Sequence, residues 1–133
     1  MSTEFTADQR GKAIRSTLRI LRASSEHIQS CAVVSFDGLL IASVLEDGVD
    51  GDRFGAMCAS LLALSTRAAK EVNRGALRQI VIDGEDGPML LTRAGTLGVL
   101  AVAARASANL GRLLFDAKAT AETLANVSSR VGP

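Results

Sequence analysis

The chain has 133 residues, a formal net charge of +1, and 47% hydrophobic against 22% charged residues, which predicts one globular domain over residues 1–133 with short flexible ends at about 1–8 and 127–133. The near-neutral charge and the absence of Trp and Tyr argue against a nucleic-acid partner, which would need a basic surface and stacking rings. The longest apolar run, 97–104, is too short to span a membrane, and the first residues do not read as a secretory signal, so a cytoplasmic protein is expected.

The first predicted element is an amphipathic helix over residues 7–24. Ile14, Leu18 and Leu21 recur at spacings of four and three, which puts them on one helical stripe. This stripe is expected to face the core. A second stripe, one position further along, is basic and consists of Arg15, Arg19 and Arg22. It is interpreted either as a solvated flank or as a docking surface for an acidic partner or a membrane surface.

Two apolar runs rich in β-branched residues, 31–36 and 39–45, follow the helix and predict a β-hairpin. They are separated by Asp37 and Gly38, a residue pair that favours a two-residue type I′ turn. The hairpin is therefore expected to be tight.

An acidic, glycine-rich segment, 46–52, connects the hairpin to a predicted helix over residues 52–73. Asp50 and Asp52 are candidate N-terminal caps for that helix. The spacing of the acidic residues differs from that of a calcium-binding loop, and no bidentate Glu follows at the twelfth position. No metal and no cofactor are therefore predicted.

The helix over residues 52–73 is so apolar that contacts on more than one side are expected. At 100° per residue, the stripe predicted to face the sheet consists of Phe54, Met57, Cys58, Leu61, Ser65, Ala68 and Val72. The opposite side carries the small residues Ala56, Ala59 and Ala63, flanked by Leu62 and Leu64. Small side chains allow a second helix to approach closely, although the high helix propensity of Ala is an alternative reason for its use.

Three further strands are predicted at 77–83, 89–93 and 97–104, and the turn signals between them favour an antiparallel meander. Asn109 is expected to cap a last amphipathic helix, whose apolar stripe consists of Leu110, Leu113, Leu114, Ala117, Ala121 and Leu124. The predicted fold class is α/β of the α+β type. Its elements follow the order helix, strand, strand, helix, strand, strand, strand, helix.

The sequence contains no pattern typical of an active site. The single histidine, His27, has no nucleophile motif beside it, and the motifs of hydrolases and of nucleotide-binding loops are missing. Cys31 and Cys58 lack the spacing of a metal site and are expected to be reduced core residues. The protein is therefore predicted not to be an enzyme and to have no catalytic residues.

In its order of elements and in two local sequences, the chain resembles the roadblock family, which includes dynein light chains and bacterial regulators of Ras-like GTPases. The resemblance covers about residues 13–124. It is carried by the hairpin sequence Val-Val-Ser-Phe-Asp-Gly-Leu-Leu-Ile-Ala-Ser at 33–43, and by Ala-Asn-Leu-Gly at 108–111. It implies a profilin-like or longin-like fold with a five-stranded antiparallel sheet between helices. The first and last helices would cover one face, and the middle helix the other.

The resemblance also implies a homodimer in which the middle helices pack together and the first meander strand pairs with its twin. Pairing would protect the exposed edge of an apolar strand. The expected interface residues are Ala56, Ala59, Leu62, Ala63, Arg67, Gln79, Ile80, Val81 and Ile82.

The same resemblance implies a small Ras-like GTPase as partner, which the dimer would bind and regulate. Arg93 and Arg105, near strand ends, are nominal candidates for an arginine that stabilises the transition state. The family does not depend on such an arginine, so any stimulation is expected to come from holding the GTPase's own switch residues in place.

Two alternatives to GTPase regulation are kept open. The first is a structural adaptor or scaffold subunit that docks another protein or a membrane surface through the basic helix with Arg15, Arg19 and Arg22. The second is a small-molecule sensor, which would require an internal cavity beneath the middle helix.

Overall fold

The computed structural model describes residues 6–129, and its eight elements follow the predicted order. The elements are α1 (Ala7–Ala23), β1 (Ile28–Val34), β2 (Leu40–Val44), α2 (Gly51–Glu71), β3 (Gln79–Gly84), β4 (Gly87–Ala94), β5 (Gly98–Ala104) and α3 (Leu110–Ser129). The outer parts of the predicted flexible ends, 1–5 and 130–133, lie outside the described residues. Within 6–129, no helix has the length and apolar character needed to span a bilayer.

The five strands form one antiparallel sheet in the order β2-β1-β5-β4-β3. The hairpin β1–β2 and the meander β3–β4–β5 are thus both present, and the predicted α+β class is confirmed. β1 and β5 are joined in the centre, which leaves β2 at one edge of the sheet and β3 at the other.

Residue alternation along the strands divides the core into two layers. In β1, Cys31 and Val33 point to the side of α1 and α3, whereas Ala32 and Val34 point to the side of α2. The α1/α3-side core contains, among others, Ile14, Leu18, Leu21, Leu90, Leu100, Val102, Leu113 and Leu124. The α2-side core contains Ala32, Val34, Cys58, Leu62, Leu91, Val99 and Ala101. The sheet therefore lies between α1 and α3 on one face and α2 on the other.

Each helix begins at a side chain that accepts a hydrogen bond from the first turn. Thr6 and Gln9 form a reciprocal capping box at the start of α1. Asp50 accepts from the Arg53 N–H at 3.2 Å, and Asn109 accepts from the Arg112 N–H at 2.9 Å. Capping by Asp50 and Asn109 is confirmed.

The β1–β2 turn differs from the predicted one. A type I′ turn requires positive φ at both Asp37 and Gly38, but of the two only Gly38 has it, with φ +94°. The Gly38 N–H donates to the Ser35 carbonyl at 3.0 Å, and the Ser35 N–H donates to the Leu39 carbonyl at 2.8 Å. The loop therefore has three residues, 36–38. The two-residue prediction was wrong because the Ser35 side chain also accepts the Leu39 N–H, at 2.9 Å, and supports the longer loop.

The face that α2 turns to the sheet also differs in part from the prediction. Three residues predicted to face the sheet are exposed, namely Met57, Ala68 and Val72. The buried residues of α2 are Gly55, Cys58 and Leu62. The physical reason is a close backbone contact, because a Cβ on Gly55 would lie 2.9 Å from the carbonyl oxygen of Gly38. The glycine side of α2 therefore lies against the hairpin, which a stripe chosen by hydrophobicity does not indicate.

Candidate interaction surfaces

The side of α2 turned away from the sheet is an exposed surface of small and apolar residues. Ala56 and Ala63 are exposed, and Met57 and Leu64 beside them are 61% and 63% exposed. Arg67, one turn beyond Ala63, is exposed as well. We call these five residues the α2 surface. Covering a side chain the size of Met or Leu with a partner is worth about 1.5–3 kcal/mol.

Two predicted interface residues of α2 lie elsewhere. Leu62 is 6% exposed and packs in the α2-side core. Ala59 is half-buried, and its Cβ would be 3.4 Å from a Cβ on Gly38. Both side chains therefore serve the packing of the single chain. A contact between helices at this surface would use Met57 and Leu64 in their place.

β3 is an edge strand with little cover. Within the described part of the chain it pairs only with β4, and five of its six residues are exposed. Val81 and Ile82 are 42% and 38% exposed, Gln79 is exposed, and Ile80 is half-buried against the α2-side core. An apolar edge strand of this kind is a template for pairing with another strand.

The apolar side chains of β3 are divided between the two faces of the sheet. Ile80 lies opposite Leu91, and Ile82 lies opposite Met89, and both partners pack in the α2-side core. Because side chains alternate along a strand, Val81 points to the face that carries α3. The α2 surface and the side chains of Ile80 and Ile82 thus lie on the same side of the sheet.

The three arginines predicted as docking residues share one exposed stripe of α1. Arg15, Arg19 and Arg22 are all exposed, and within residues 6–129 none of them forms an ion pair with Asp or Glu. Arg19 and Arg22 lie beside Val44 of the β2 edge. The structure therefore places two of the three cations, Arg19 and Arg22, along the β2 edge of the sheet.

The single histidine meets a serine that is remote in the sequence. The Nδ1 atom of His27 is 3.1 Å from the Oγ atom of Ser107, and its Nε2 atom is 3.9 Å from the carboxylate of Glu26. The separation from Glu26 is too long for a hydrogen bond, and the Glu26 side chain is 89% exposed. Arg105 completes the contact by donating to the carbonyl oxygens of His27 and Glu26. These contacts join the start of β1 to the loop before α3. The sequence does not reveal this structural role, because Ser107 lies 80 positions after His27.

The two arginines near strand ends are held in different ways. The guanidinium carbon of Arg93, in β4, is 5.3 Å from the ring centre of Phe36 in the β1–β2 turn. Arg105 follows β5, and its guanidinium donates to the Glu26 carbonyl at 3.3 Å. Because β4 and β5 are antiparallel, the two lie at opposite ends of the sheet and cannot act on one site.

The two cysteines are buried and form no disulfide. The Cys31 thiol donates to the Leu18 carbonyl at 3.4 Å. Burial raises the pKa of both thiols from 9.0 to about 11, and nearby Arg22 opposes this shift in part at Cys31. Both therefore stay neutral near pH 7, and the prediction of core cysteines is confirmed.

An open groove of about 700 Å³ lies between α3 and the β3–β4 end of the sheet. It is not the cavity beneath α2 that the sensor hypothesis required, since Cys58 and Leu62 fill that space against Val34. We call it the α3 groove, and it is lined by Leu77, Arg78, Gln79, Thr92, Arg93, Gly95, Leu114, Phe115, Lys118, Ala121, Glu122 and Ala125.

The chain is similar in sequence and in fold to several known proteins. The family model for the Roadblock/LC7 domain matches residues 17–104. The uncharacterized protein MJ1340 of Methanocaldococcus jannaschii is 39% identical over 100 residues, which are 75% of this chain and 87% of that protein. The solved Roadblock/LC7 domain from Streptomyces avermitilis has a TM-score of 0.79 at 22% identity, covering 86% of this chain and 97% of its own. For Myxococcus xanthus MglB the TM-score is 0.84 at 19% identity, with 92% and 93% covered. At such identities the two structures establish the fold alone.

Proposed function

The chain belongs to the Roadblock/LC7 domain family, and we propose that it is a homodimeric interaction module that binds and regulates a small Ras-like GTPase. The observation that carries the proposal is the α2 surface, with Met57 and Leu64 each more than 60% exposed. A chain that remained alone would leave both side chains in water. The β3 edge on the same side of the sheet supports a partner that covers both.

A second copy of the chain fits this pair of surfaces. The small side chains of Ala56 and Ala63 let two α2 helices approach to the usual interaxial distance of about 8–10 Å. Pairing of β3 with its twin would satisfy the outer row of backbone groups and join two five-stranded sheets. A two-fold axis brings the same patch of each protomer together, so one surface serves both copies.

Substitutions that add positive charge to the α2 surface test whether the protein is a dimer. We expect the native protein to sediment at equilibrium with twice the 13.8 kDa mass of the chain. The variant Ala63→Arg/Leu64→Arg is expected to sediment as a monomer, because it places four cations at the two-fold contact. The control is Ile20→Arg/Ala23→Arg, which adds the same charge at exposed positions of α1. A double variant of α2 that stays dimeric would show that the helices do not meet.

Regulation is proposed to work by holding the switch segments of the GTPase in place. Arg105 is engaged by the Glu26 carbonyl, and Arg93 is held over Phe36, so neither is prepositioned as a free transition-state arginine. Removing an arginine that stabilised the transition state would lower the rate of GTP hydrolysis by a factor of about 10³–10⁵. We therefore expect Arg93→Ala to retain most of any stimulation.

The partner is tested with the small Ras-like GTPases of the same genome. Each is loaded with GDP or with a non-hydrolysable GTP analogue and mixed with the native protein. We expect one GTPase to co-elute in size-exclusion chromatography, preferentially in one nucleotide state. If none of these GTPases co-elutes with the protein in either nucleotide state, the proposed partner class is wrong.

The basic stripe of α1 favours a second candidate function, a structural adaptor. Arg15, Arg19 and Arg22 have no ion-pair partner within the described part of the chain, which leaves their charge available to an acidic surface. Reversing all three to Glu is expected to abolish recruitment by such a partner and to leave co-elution with a GTPase unchanged. Loss of GTPase binding alone would argue against the adaptor.

A further inference from the structure

The α3 groove exists because α3 covers β4 but leaves the β3 edge open. One wall is α3, with Leu114, Ala121 and Ala125. The floor is Thr92, which is buried, and Gln79 opposite it on β3. The volume of about 700 Å³ lies within the range of about 300–1,000 Å³ typical of binding pockets, and accepts a few side chains rather than a whole domain.

An exposed aromatic ring stands at the groove. Phe115 is 67% exposed, although it lies in the first half of a helix whose other side packs on the sheet. The Arg112 guanidinium is 5.9 Å from the ring centre and is held by Asp116 at 3.2 Å. Aromatic residues, Phe among them, and Arg are enriched at protein–protein interfaces. Because Arg112 already holds the Phe115 ring in place, an apolar side chain of a partner could pack against it without first ordering it.

The charged side chains that line the α3 groove favour a partner of a particular charge. Arg78 and Lys118 are cationic, and Glu122 is the one carboxylate among the lining residues. The third lining cation, Arg93, is held over Phe36, and by strand alternation its side chain points to the face that carries α2. Within residues 6–129, neither Arg78 nor Lys118 forms an ion pair. A smaller concavity of about 490 Å³ shares Leu77, Arg78 and Gln79 with the groove and adds Arg74. The groove is thus apolar along α3 and positive at its rim, whereas the whole chain is nearly neutral.

From this combination we propose that the α3 groove binds a short acidic segment of a partner protein that carries one or two apolar anchor residues. The anchors contact Phe115 and Leu114, and the carboxylates face Lys118 and Arg78. This is the arrangement in which an amphipathic helix or a short extended segment lies in a preformed groove. The site goes beyond the proposed regulation of a GTPase, because it uses neither the α2 surface nor a nucleotide-dependent partner.

The test uses two pools of fluorescent synthetic peptides of about 12 residues, or three helical turns. Both pools carry Leu and Phe at the same positions. One fills the remaining positions with Asp and Glu, and the other with Lys and Arg. We expect the acidic pool alone to raise fluorescence anisotropy and to shift backbone amide resonances at Thr92, Lys118 and Ala121. Binding is expected to weaken as salt is raised, because the rim charges are exposed.

Substitutions in the groove then locate the binding. Phe115→Ser and Lys118→Glu change exposed residues and are each expected to weaken the acidic pool at least tenfold, with unchanged circular dichroism. The matched controls are Ile20→Ser on α1 and Arg53→Glu at the start of α2, which alter an exposed apolar residue and reverse an exposed charge. They are expected to leave the affinity within twofold of the native value.

Four results would overturn the proposal. They are absence of binding by the acidic pool, equal binding of the basic pool, resonance shifts outside the groove, and binding of vesicles containing phosphatidylserine in place of the peptides. Failure here is distinguishable from failure of the proposed function. Ala63→Arg/Leu64→Arg disrupts the α2 surface but is expected to retain peptide binding, and Lys118→Glu is expected to retain the dimer.

Discussion

Gly55 decides how closely α2 lies against the hairpin. In an ordinary helix interior, Gly→Ala stabilises the folded state by about 1 kcal/mol. Here a Cβ would lie 2.9 Å from the carbonyl oxygen of Gly38 and 3.6 Å from the backbone nitrogen of Leu40, so the backbone has to move. We expect Gly55→Ala to lower the free energy of unfolding by about 1–3 kcal/mol, measured by urea denaturation.

Gly11→Ala in α1 is the matched control. A Cβ at Gly11 would meet only the Arg15 guanidinium, at 3.6 Å and beyond, which is ordinary van der Waals contact with a flexible side chain. The variant is expected to gain about 0.5–1 kcal/mol. Stabilisation of both variants by the same amount would contradict the close packing at Gly55.

The buried thiols give the stability a pH dependence. Since burial raises the pKa of Cys31 and Cys58 from 9.0 to about 11, the folded protein keeps two protons that the unfolded chain loses above pH 9. The stability from these neutral thiols is complete below pH 9 and falls as the pH rises towards 11. The chain has no Tyr, so phenol groups do not titrate in this range.

The thiol prediction is checked with urea unfolding at several pH values from about 8 to about 11. The free energy of unfolding is expected to fall less steeply in Cys31→Ala/Cys58→Ala than in the native protein. Lysines titrate in both proteins and cancel in the comparison. Equal slopes would mean that the thiols are not protected from deprotonation.

At the scale of the element, the start of α2 depends on one carboxylate. Asp50 accepts the Arg53 N–H, and removal of such a cap costs about 0.5–2 kcal/mol. We expect Asp50→Ala to lower the urea midpoint accordingly. Asp47→Ala removes an exposed carboxylate from the same loop and is expected to change the midpoint little. A comparable loss in both variants would point to general charge in the loop rather than to capping.

The elements were predictable in kind and order because their periodicities and caps are local properties of the chain. Their ends were less so. The first strand was predicted to begin at residue 31, because Gln29 and Ser30 are polar and resemble loop residues. In the structure, β1 begins at Ile28. Ser30 is nevertheless buried, and its hydroxyl accepts the Glu46 N–H at 3.0 Å. A polar residue satisfied by a distant partner cannot be told from a loop residue by pattern alone.

The interaction surfaces show the same limit. The small residues of α2 pointed to a helix contact, but the sequence could not separate Leu62, which is buried, from Leu64, which is exposed. That distinction depends on Gly55 meeting Gly38 across the fold. The α3 groove was not predicted, because its lining residues are scattered between 77 and 125 and come together only when β3, β4 and α3 pack in the fold.

At the scale of the whole molecule, strand pairing between protomers is expected to appear in hydrogen exchange. Among residues 6–129, no strand pairs with β3 on its outer side, so its outward amide hydrogens would exchange quickly in a monomer. We expect these amides to be protected in the native protein and to lose protection in Ala63→Arg/Leu64→Arg or on dilution. Fast exchange in the native dimer would show that the protomers meet without joining their sheets.

The arginines beside β2 have a consequence for how far assembly proceeds. In the proposed dimer, a ten-stranded sheet joined through β3 would still have two free edges, both of them β2. Each carries Arg19 and Arg22 at its flank, so two such particles approaching end to end repel each other, and charge beside an edge is a common means of preventing such stacking. We therefore expect further copies not to add at the β2 edges, although β3 edges pair. The dimer would then remain a finite particle in solution rather than extend into a fibre.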